Sequence, residues 1–307
     1  MLYCAMKRTM TTLLLAACAC VGVFRAAAFP AGSADAPRND SLLVMFWNVE
    51  NFFDYRSGSE YRPEYLTRRR FEAKCEAVCK TILAVADRYG RYPDIVAFAE
   101  VESPSVTRAL VGSTLLRKLG YDVVHYDSPD HRGIDCALIY RSAVLPLRSS
   151  SARHVLGRDG LPLATRDFLV ARFDSLSVVV NHHPSKVGGG KAEMRAEVMS
   201  QMRCVADSLL ALGARRVLCV GDFNDTLWKG SGPETATLKY NGHWEKIDGY
   251  FAFGLPVEVE ESVFADASLL EPDRNFGGMK PRRSFLGPRY LGGVSDHLPL
   301  VLLVKFD

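Results

Sequence analysis

The sequence alternates between two kinds of segment, and this alternation constrains the fold more than any other feature. Continuous apolar runs of strand length, such as residues 42–47 and 94–101, are separated by stretches in which apolar residues recur every three or four positions. Strands that are apolar throughout are buried on both faces, and helices between them cover the sheet. The pattern therefore predicts an α/β fold.

The same patterns place the individual elements. Helices are expected at about residues 63–89 and 191–212. Another is expected to begin at Pro104, because Ser103 suits the N-cap and Pro104 the first helical position. Further strands are expected at residues 122–126, 135–140, 168–173, 177–181, 216–221, 247–253, 257–263 and 298–305. No internal repeat or long linker divides the sequence. We expect one domain over residues 42–307, preceded by a flexible leader at residues 29–41.

The first 28 residues have the layout of a secretory signal peptide. Lys7 and Arg8 precede an apolar stretch at residues 11–24, and three alanines at 26–28 offer a cleavage site. The stretch ends at Arg25 and is too short to span a bilayer. We therefore expect export to the periplasm or beyond, with cleavage after Ala28. The alternative is a lipoprotein, because residues 15–18 resemble a lipobox that would anchor the chain through Cys18.

The charge balance argues against binding of nucleic acid by bulk electrostatics. The whole chain has 38 basic and 35 acidic residues, and the first 28 residues contain three of the basic ones and no acid. The mature chain would therefore be neutral, with 35 residues of each sign. Any affinity for a polyanion has to come from a local patch.

Polar side chains follow five of the apolar runs. The segments are Asn48-Val49-Glu50-Asn51, Glu100-Val101-Glu102, Asn181-His182-His183, Asp222-Phe223-Asn224-Asp225 and Ser295-Asp296-His297. Because α/β folds gather strand ends at one edge, these side chains are expected to meet in one pocket. A site rich in oxygen ligands and without cysteine suits a hard cation, with Mg²⁺ first and Mn²⁺ or Ca²⁺ next.

Taken in chain order, these motifs resemble those of the endonuclease/exonuclease/phosphatase superfamily. They are Asn-x-Glu-Asn at 48–51, Ala-Glu-Val-Glu at 99–102, Arg-Gly-Ile-Asp at 132–135, Asn-His-His-Pro-Ser-Lys at 181–186, Gly-Asp-Phe-Asn at 221–224, Lys-Ile-Asp at 246–248 and Ser-Asp-His at 295–297. The resemblance covers residues 42–306. It implies a DNase I-like four-layer sandwich, in which two mixed β-sheets pack together and helices lie on the outer faces.

The resemblance also implies hydrolysis of phosphate esters by in-line attack of a metal-assisted water. Glu100 matches the main metal carboxylate of the superfamily. Asn48 lies near both metal and phosphate, and Asp296 lies close to the metal. The metal ligands expected here are therefore Glu100, Asn48 and Asp296.

The resemblance assigns further catalytic roles to four residues. Asp222 orients or deprotonates the attacking water, and Asn224 holds Asp222 and contacts the phosphate. His297 binds a phosphate oxygen or transfers a proton, and Asp248 is its carboxylate partner.

His182 is the last expected catalytic residue. Adjacent residues on a strand point to opposite faces, so only one of His182 and His183 can enter the pocket. The resemblance favours His182, and His183 is expected to pack in the core. Lys186 and Arg166 are expected to contact the substrate together with Asn48, and Arg166 and Asp135 are expected to border the pocket as a hydrogen-bonded or phosphate-facing pair.

The substrate is less well defined than the reaction. Of two basic clusters, the one at residues 68–70 also fits a solvated helix face, whereas the one at residues 280–289 precedes Ser-Asp-His and favours an exported nuclease acting on DNA or RNA. The alternatives are a sphingomyelinase-like enzyme or one acting on a small or inositol phosphoester. A non-catalytic binding module on the same fold is the alternative of another class. We expect a monomer without a stable protein partner.

Overall fold

The computed structural model describes residues 41–186 and 192–306, which contain three α-helices, two 3-10 helices and eighteen strands. The helices are α1 (Arg68–Tyr89), α2 (Pro104–Ser113) and α3 (Ala192–Ala211), and the 3-10 helices are Leu115–Lys118 and Ala267–Leu269. The strands are β1 (Ser41–Phe52), β2 (Ile95–Val101), β3 (Tyr121–His125), β4 (Asp135–Arg141), β5 (Leu147–Arg153), β6 (Phe168–Phe173), β7 (Ser177–His182), β8 (Arg216–Asp222), β9 (Trp228–Lys229), β10 (Leu238–Tyr240), β11 (His243–Lys246), β12 (Asp248–Gly254), β13 (Val257–Val263), β14 (Leu270–Pro272), β15 (Met279–Pro281), β16 (Phe285–Leu286), β17 (Arg289–Tyr290) and β18 (Leu300–Phe306). The predicted signal peptide, the leader up to residue 40 and the Cys18 anchor lie outside the described residues.

Two large mixed sheets organise these strands. The first has the order β13-β18-β1-β2-β4-β3, and the second has the order β12-β8-β7-β6-β5. Each contains one parallel pair, β1 with β2 and β7 with β8, and its other pairs are antiparallel. A parallel pair needs a crossover connection, which α1 provides in the first sheet and α3 in the second.

The sheets pack face to face, and side-chain alternation builds the layers. Val178 and Val180 of β7 join the core shared with the first sheet, whereas Val179 between them packs with α3 residues such as Met202. On the other side, the apolar face of α1, including Ile82, packs onto the first sheet. The predicted four-layer order of helix, sheet, sheet and helix is therefore present.

Strand register brings the polar motifs together. Asn48 lies opposite Ala99 in the parallel pair of the first sheet, one residue before Glu100. His182 lies opposite Asp222 in the parallel pair of the second sheet, and Asp248 at the start of β12 lies on the other side of Asp222. The pocket expected at the strand ends is thus formed by both sheets.

Several boundaries and elements differ from the predictions. α1 begins at Arg68 rather than near residue 63, because Thr67 caps it by accepting a hydrogen bond from the Arg70 amide. Ser103 occupies the N-cap of α2 without capping it; its hydroxyl hydrogen-bonds to that of Ser105. The edge strand β5 was not predicted, because its sequence Leu-Arg-Ser-Ser-Ser-Ala-Arg has no apolar run. Within the described residues, no helix is long and apolar enough to cross a membrane.

Candidate active site

Asp222 lies at the centre of the pocket, at the carboxyl end of β8. Its Oδ2 accepts a hydrogen bond from Asn48 Nδ2 at 3.0 Å, and its Oδ1 accepts one from the Asn224 backbone N–H at 2.8 Å. The same Oδ2 lies 3.6 Å from His182 Nε2 and 3.9 Å from His297 Nε2. Burial, together with the negative charge of Asp248, raises the pKa of Asp222 to about 7. Asp222 can therefore gain or lose a proton near neutrality.

His297 and Asp248 form a buried pair beside Asp222. His297 Nδ1 lies 2.8 Å from Asp248 Oδ2, so the imidazole presents Nε2 to the pocket. Burial alone would lower the pKa of His297, but the charges of Asp248 and Asp222 outweigh it and hold this pKa well above its usual value. His297 is therefore positively charged at neutral pH.

The Ser-Asp-His segment is attached directly to β1. Ser295 Oγ donates to the Asn48 carbonyl oxygen at 2.6 Å and accepts from the His297 amide at 3.0 Å. Trp47 Nε1 donates to the His297 carbonyl oxygen at 2.9 Å. These contacts span about 250 residues of sequence and fix His297 relative to the first sheet.

A group of three carboxylates, called here the acid cluster, lies next to this pair and consists of Glu50, Glu100 and Asp296. Arg283 Nη2 lies 2.5 Å from Glu50 Oε1 and 3.3 Å from Asp296 Oδ2. Lys74 Nζ donates to the Glu50 carbonyl oxygen at 2.6 Å, and its charge interacts with all three acids. Burial and the charge of Asp296 raise the pKa of Glu50 to about 7. The cluster is an electronegative site held between two cations.

The acid cluster has the donor chemistry of a divalent-cation site, whereas the described groups whose ligand atoms all lie within 4.8 Å of one another are Asp222 with Asp248 and His297, and His125 with Asp127 and Asp135. All donors of the acid cluster are oxygens, as a hard cation requires, and Glu50 Oε2 is buried without a hydrogen-bond partner among the described residues. Glu100 and Asp296, two of the predicted ligands, belong to the cluster. Asn48, the third, has its amide engaged: Oδ1 accepts from the Glu50 N–H at 3.0 Å and Nδ2 donates to Asp222. A metal-ligand role for Asn48 stays a prediction.

Backbone conformation at the site is unusual. Glu50, Asn51, Glu100 and Asn224 have positive φ angles of 47°, 49°, 65° and 49°. L-residues adopt this region at a cost on the order of 1 kcal/mol each, and such residues gather at functional sites. The turned backbone directs the Asn51 N–H to Glu100 Oε2, at 2.8 Å, and the Asn224 N–H to Asp222. The strain therefore orients two of the carboxylates.

The two adjacent histidines point to opposite sides of β7, as alternation predicts. His182 Nε2 faces Asp222 and lies 3.8 Å from Glu100 Oε1. Burial and the nearby charge of Arg166 lower the pKa of His182 well below its usual value, so this ring is neutral. His183 packs edge-on against Phe223 with ring centroids 5.1 Å apart, and burial lowers its pKa to about 3.

Comparison with known proteins identifies the group to which this site belongs. The model of the Endonuclease/Exonuclease/phosphatase family matches residues 43–261, more than half of the chain. The chain belongs to this family. The family comprises metal-dependent phosphoesterases; the motifs quoted above as far as residue 248 lie within the matched residues, and Ser-Asp-His at 295–297 follows them. Comparison with curated protein sequences gives no match.

Solved structures of distant relatives share the fold. The human Nocturnin catalytic domain with bound sulfate is 17% identical, with a TM-score of 0.54 and coverage of 87% of this chain and 95% of that chain. D. rerio TDP2 complexed with a single-strand DNA product is 15% identical, with a TM-score of 0.52 and coverage of 87% and 99%. Beta toxin 275-280 from Staphylococcus aureus is 14% identical, with a TM-score of 0.54 and coverage of 85% and 99%. At these identities the likeness establishes the fold alone.

One expectation drawn from the family motifs needs correction. Arg166 does not pair with Asp135: it is buried and donates to Asp130 Oδ2 at 3.1 Å and to the His183 carbonyl oxygen at 2.5 Å. Asp135 instead accepts from the Ser128 amide at 2.9 Å. Arg166 therefore braces the strand end behind His182, and its role in substrate binding stays a prediction.

Lys186, which is also expected to contact the substrate, is held by two hydrogen bonds. Its Nζ donates to Thr226 Oγ1 at 2.5 Å and to Glu245 Oε2 at 2.8 Å. These bonds fix the chain just before residues 187–191, which lie outside the described residues. Substrate binding by Lys186 stays a prediction.

Three residues of the site were not assigned a role from the family motifs. Lys74 lies on the apolar face of α1, three residues after Phe71. A lysine at a buried helical position is the sequence feature that could have identified it as a residue of the site. Arg283 belongs to the basic cluster at residues 280–289, whose composition does not distinguish it from its neighbours. Arg132 lies with Nη1 4.0 Å from Glu100 Oε1 and Nε 3.7 Å from Asp130 Oδ1, without a side-chain hydrogen bond to any described residue. Its guanidinium is thus ion-paired with two carboxylates and lies beside the acid cluster.

Proposed function

We propose that this protein is a Mg²⁺-dependent phosphodiesterase, and specifically an exported nuclease that hydrolyses DNA or RNA. The observation that carries the proposal is the meeting of the acid cluster, the central Asp222 and the charged His297 at the strand ends of both sheets. Carboxylates for a metal, a group able to accept a proton and a charged donor are the parts that phosphate-ester hydrolysis requires.

Glu50, Glu100 and Asp296 would hold the metal ion. When bound, a divalent cation polarises the phosphate oxygens and stabilises the additional negative charge that develops in the transition state. Lys74 and Arg283 keep the three carboxylates together and offset part of their charge.

Asp222 positions the attacking water and accepts its proton. A pKa of about 7 leaves a large part of Asp222 ionised at neutral pH while keeping it basic enough for this task. Asn48 and the Asn224 amide fix the two oxygens of the carboxylate.

The two histidines donate hydrogen bonds to the phosphate. His297 is positively charged and oriented by Asp248, so its Nε2–H stabilises the charge that develops on a phosphoryl oxygen. His182 is neutral, and its Nε2 faces the same space. Arg132 provides a third donor beside Glu100.

Nucleic acid is the preferred substrate because cationic side chains lie beside the acid cluster and an aromatic pair adjoins one of them in the chain, since His131 precedes Arg132. Arg132 and Arg283 lie next to the carboxylates of the cluster, and Tyr61 packs edge-on against His131 with ring centroids 5.6 Å apart. Phosphate contacts and base stacking are the two elements of single-strand recognition. The likeness to the D. rerio TDP2 structure, which contains a single-strand DNA product, also supports this choice. The N-terminal sequence pattern supports export.

A lipid phosphodiester is the second candidate substrate. Leu286, at the turn between β16 and β17, is 58% exposed and lies three residues after Arg283. An exposed apolar turn beside the site would suit a membrane surface.

The test is a substrate panel of plasmid DNA, RNA, sphingomyelin, phosphoinositides and bis-p-nitrophenyl phosphate, each with Mg²⁺ or with EDTA. We expect EDTA-sensitive cleavage of nucleic acid and of bis-p-nitrophenyl phosphate by the wild type. His297→Ala should be inactive, and the matched control His243→Ala, at an exposed histidine on β11, should retain activity. Turnover of a lipid with intact DNA would refute the substrate. Wild-type activity no higher than that of His297→Ala on every substrate would favour a binding module.

A further inference from the structure

The two basic clusters recognised in the sequence meet in space beside the acid cluster. A cleft of about 680 Å³ lies between the beginning of α1 and strand β17, and its lining residues are Tyr65, Thr67, Arg69, Arg70, Ala73 and Tyr290. We call it the α1–β17 cleft. The Arg70 guanidinium lies 4.8 Å from the centroid of the Tyr290 ring, and Arg70 Nη1 donates to the Tyr65 carbonyl oxygen at 2.5 Å. Arg70 therefore connects the two walls of the cleft, one formed by the beginning of α1 and the other by β17.

Both walls of the cleft are attached to the acid cluster. Lys74 follows Arg70 by one turn of α1, about 6 Å along the helix axis, and its Nζ reaches the Glu50 carbonyl oxygen. Arg283 precedes β16 by two residues and contacts Glu50 and Asp296. A linear substrate whose scissile phosphate lies at the acid cluster would pass directly into the cleft.

The charge of the cleft suits a phosphate. Arg69 is exposed, and its side chain forms no ion pair or hydrogen bond with any residue that the structure describes. Arg68, on the same turn, is already paired with Glu72 at 2.8 Å. No acidic residue is found among the lining residues of the described chain. Arg69 is thus an available cation in a pocket without a competing carboxylate.

The aromatic residues of the cleft favour a nucleic-acid strand over a membrane. Tyr65 is 50% exposed and offers a ring on which a base can stack. The exposed Leu286 pairs with Arg289 across the β16–β17 hairpin, whereas Tyr290 of the cleft pairs with Phe285. Neighbouring residues of a strand alternate in direction, so Leu286 points away from the cleft. The cleft itself has no large aliphatic side chain to insert into lipid.

We infer that the α1–β17 cleft binds the single-stranded nucleic-acid segment next to the scissile bond, with a phosphate on Arg69 and a base on Tyr65. This inference rests on the proposed function and extends it, because it assigns the enzyme an extended substrate rather than an isolated phosphodiester.

The experiment compares Arg69→Glu with Arg203→Glu, a charge reversal at an exposed arginine on the distant helix α3. Binding of a fluorescent single-stranded DNA of about twelve nucleotides is measured by anisotropy in EDTA, where cleavage does not occur. In a second arm with Mg²⁺, kcat/KM is measured for the same DNA and for bis-p-nitrophenyl phosphate, which is too small to reach the cleft.

We expect Arg69→Glu to weaken DNA binding about 5- to 10-fold and to reduce the slope of log affinity against log salt by about 1. The ratio of kcat/KM for DNA to that for bis-p-nitrophenyl phosphate should fall by a similar factor, while Arg203→Glu should match the wild type. Tyr65→Ala should weaken binding without changing the salt slope, because it removes stacking and no charge.

Three results would overturn the inference. Equal DNA affinity for Arg69→Glu and Arg203→Glu would show that the cleft does not bind the strand, even if the wild type is a nuclease. An unchanged ratio of the two kcat/KM values would show that the Arg69 substitution affects both substrates equally, and therefore that Arg69 does not contact the DNA. Arg69-dependent binding to phosphatidylglycerol vesicles, with no binding of DNA, would assign the cleft to a lipid surface. If the wild type hydrolyses bis-p-nitrophenyl phosphate but not DNA, the proposed substrate fails, and the anisotropy arm still tests the cleft.

Discussion

Asp248→Asn is the substitution that most directly tests the proposed chemistry. Asp248 is buried, lies 2.8 Å from His297 Nδ1, and contributes the largest of the interactions that hold the pKa of His297 high. The asparagine keeps the shape but removes the charge. A charge-assisted hydrogen bond contributes about 1.5–3 kcal/mol. If about 3 kcal/mol is lost from the transition state, kcat/KM falls by about two orders of magnitude.

The pH profile gives a second readout of the same change. In the wild type, activity should rise as pH rises through about 7, because Asp222 must be ionised to accept a proton. Activity should fall again at higher pH, where His297 loses its proton despite its raised pKa. Asp248→Asn lowers the pKa of His297, so the alkaline limb should move to lower pH and narrow the profile.

The assay is kcat/KM for bis-p-nitrophenyl phosphate in Mg²⁺ between about pH 5 and about pH 10. Asp273→Asn is the matched control, because Asp273 forms a buried ion pair with Lys239 at 2.9 Å away from the acid cluster. It should lower thermal stability and leave the profile unchanged. An Asp248→Asn enzyme with a wild-type alkaline limb and kcat/KM would refute the assigned role of the pair.

Three further predictions concern the acid cluster. Glu100→Gln should raise the Mg²⁺ concentration for half-maximal activity at least about tenfold, measured by metal titration, and unchanged metal dependence would contradict its assignment as a ligand. Lys74→Met should lower the melting temperature more in EDTA than in Mg²⁺, since a bound cation can replace the lost charge; equal losses in both would show a packing role alone. In EDTA, unfolding by urea should show the stability of the wild type falling relative to that of Glu50→Gln as pH rises from about 4.5 to about 7, because the raised native pKa of Glu50 means that this carboxyl binds more protons when folded. A constant difference between the two proteins over that interval would contradict this direction.

Much of the site could be predicted because its residues directly follow apolar strands. Asn48, Glu100, His182 and Asp222 each lie near the end of a parallel strand, and strand ends of parallel pairs meet at one edge. Alternation along β7 showed that only one of His182 and His183 could enter the pocket, and the family resemblance favoured His182. In these cases a local pattern in the sequence determines position in the fold.

The missed features depend on contacts between distant segments or on backbone angles. Arg283 reaches Glu50 across 233 positions, and no local pattern identifies such a pair. Lys74 lies on the apolar face of an arginine-rich helix, where a cation is expected to be exposed. The positive φ angles of Glu50 and Glu100 occur in strand sequences that favour extended conformations. The edge strand β5 has no apolar period because its residues are largely polar.

The same features explain why the acid cluster should be coupled to stability. Burying Glu50 beside Asp296 disfavours ionisation, and holding Glu50 and Glu100 at positive φ adds strain of about 1 kcal/mol each. Neither effect helps the chain to fold, and Lys74 and Arg283 offset only part of the charge. A divalent cation would favour the ionised carboxylates in the positions that the strain imposes. The arrangement therefore lowers the stability of the metal-free protein and favours metal binding. Such a trade of stability for function is expected at a catalytic site.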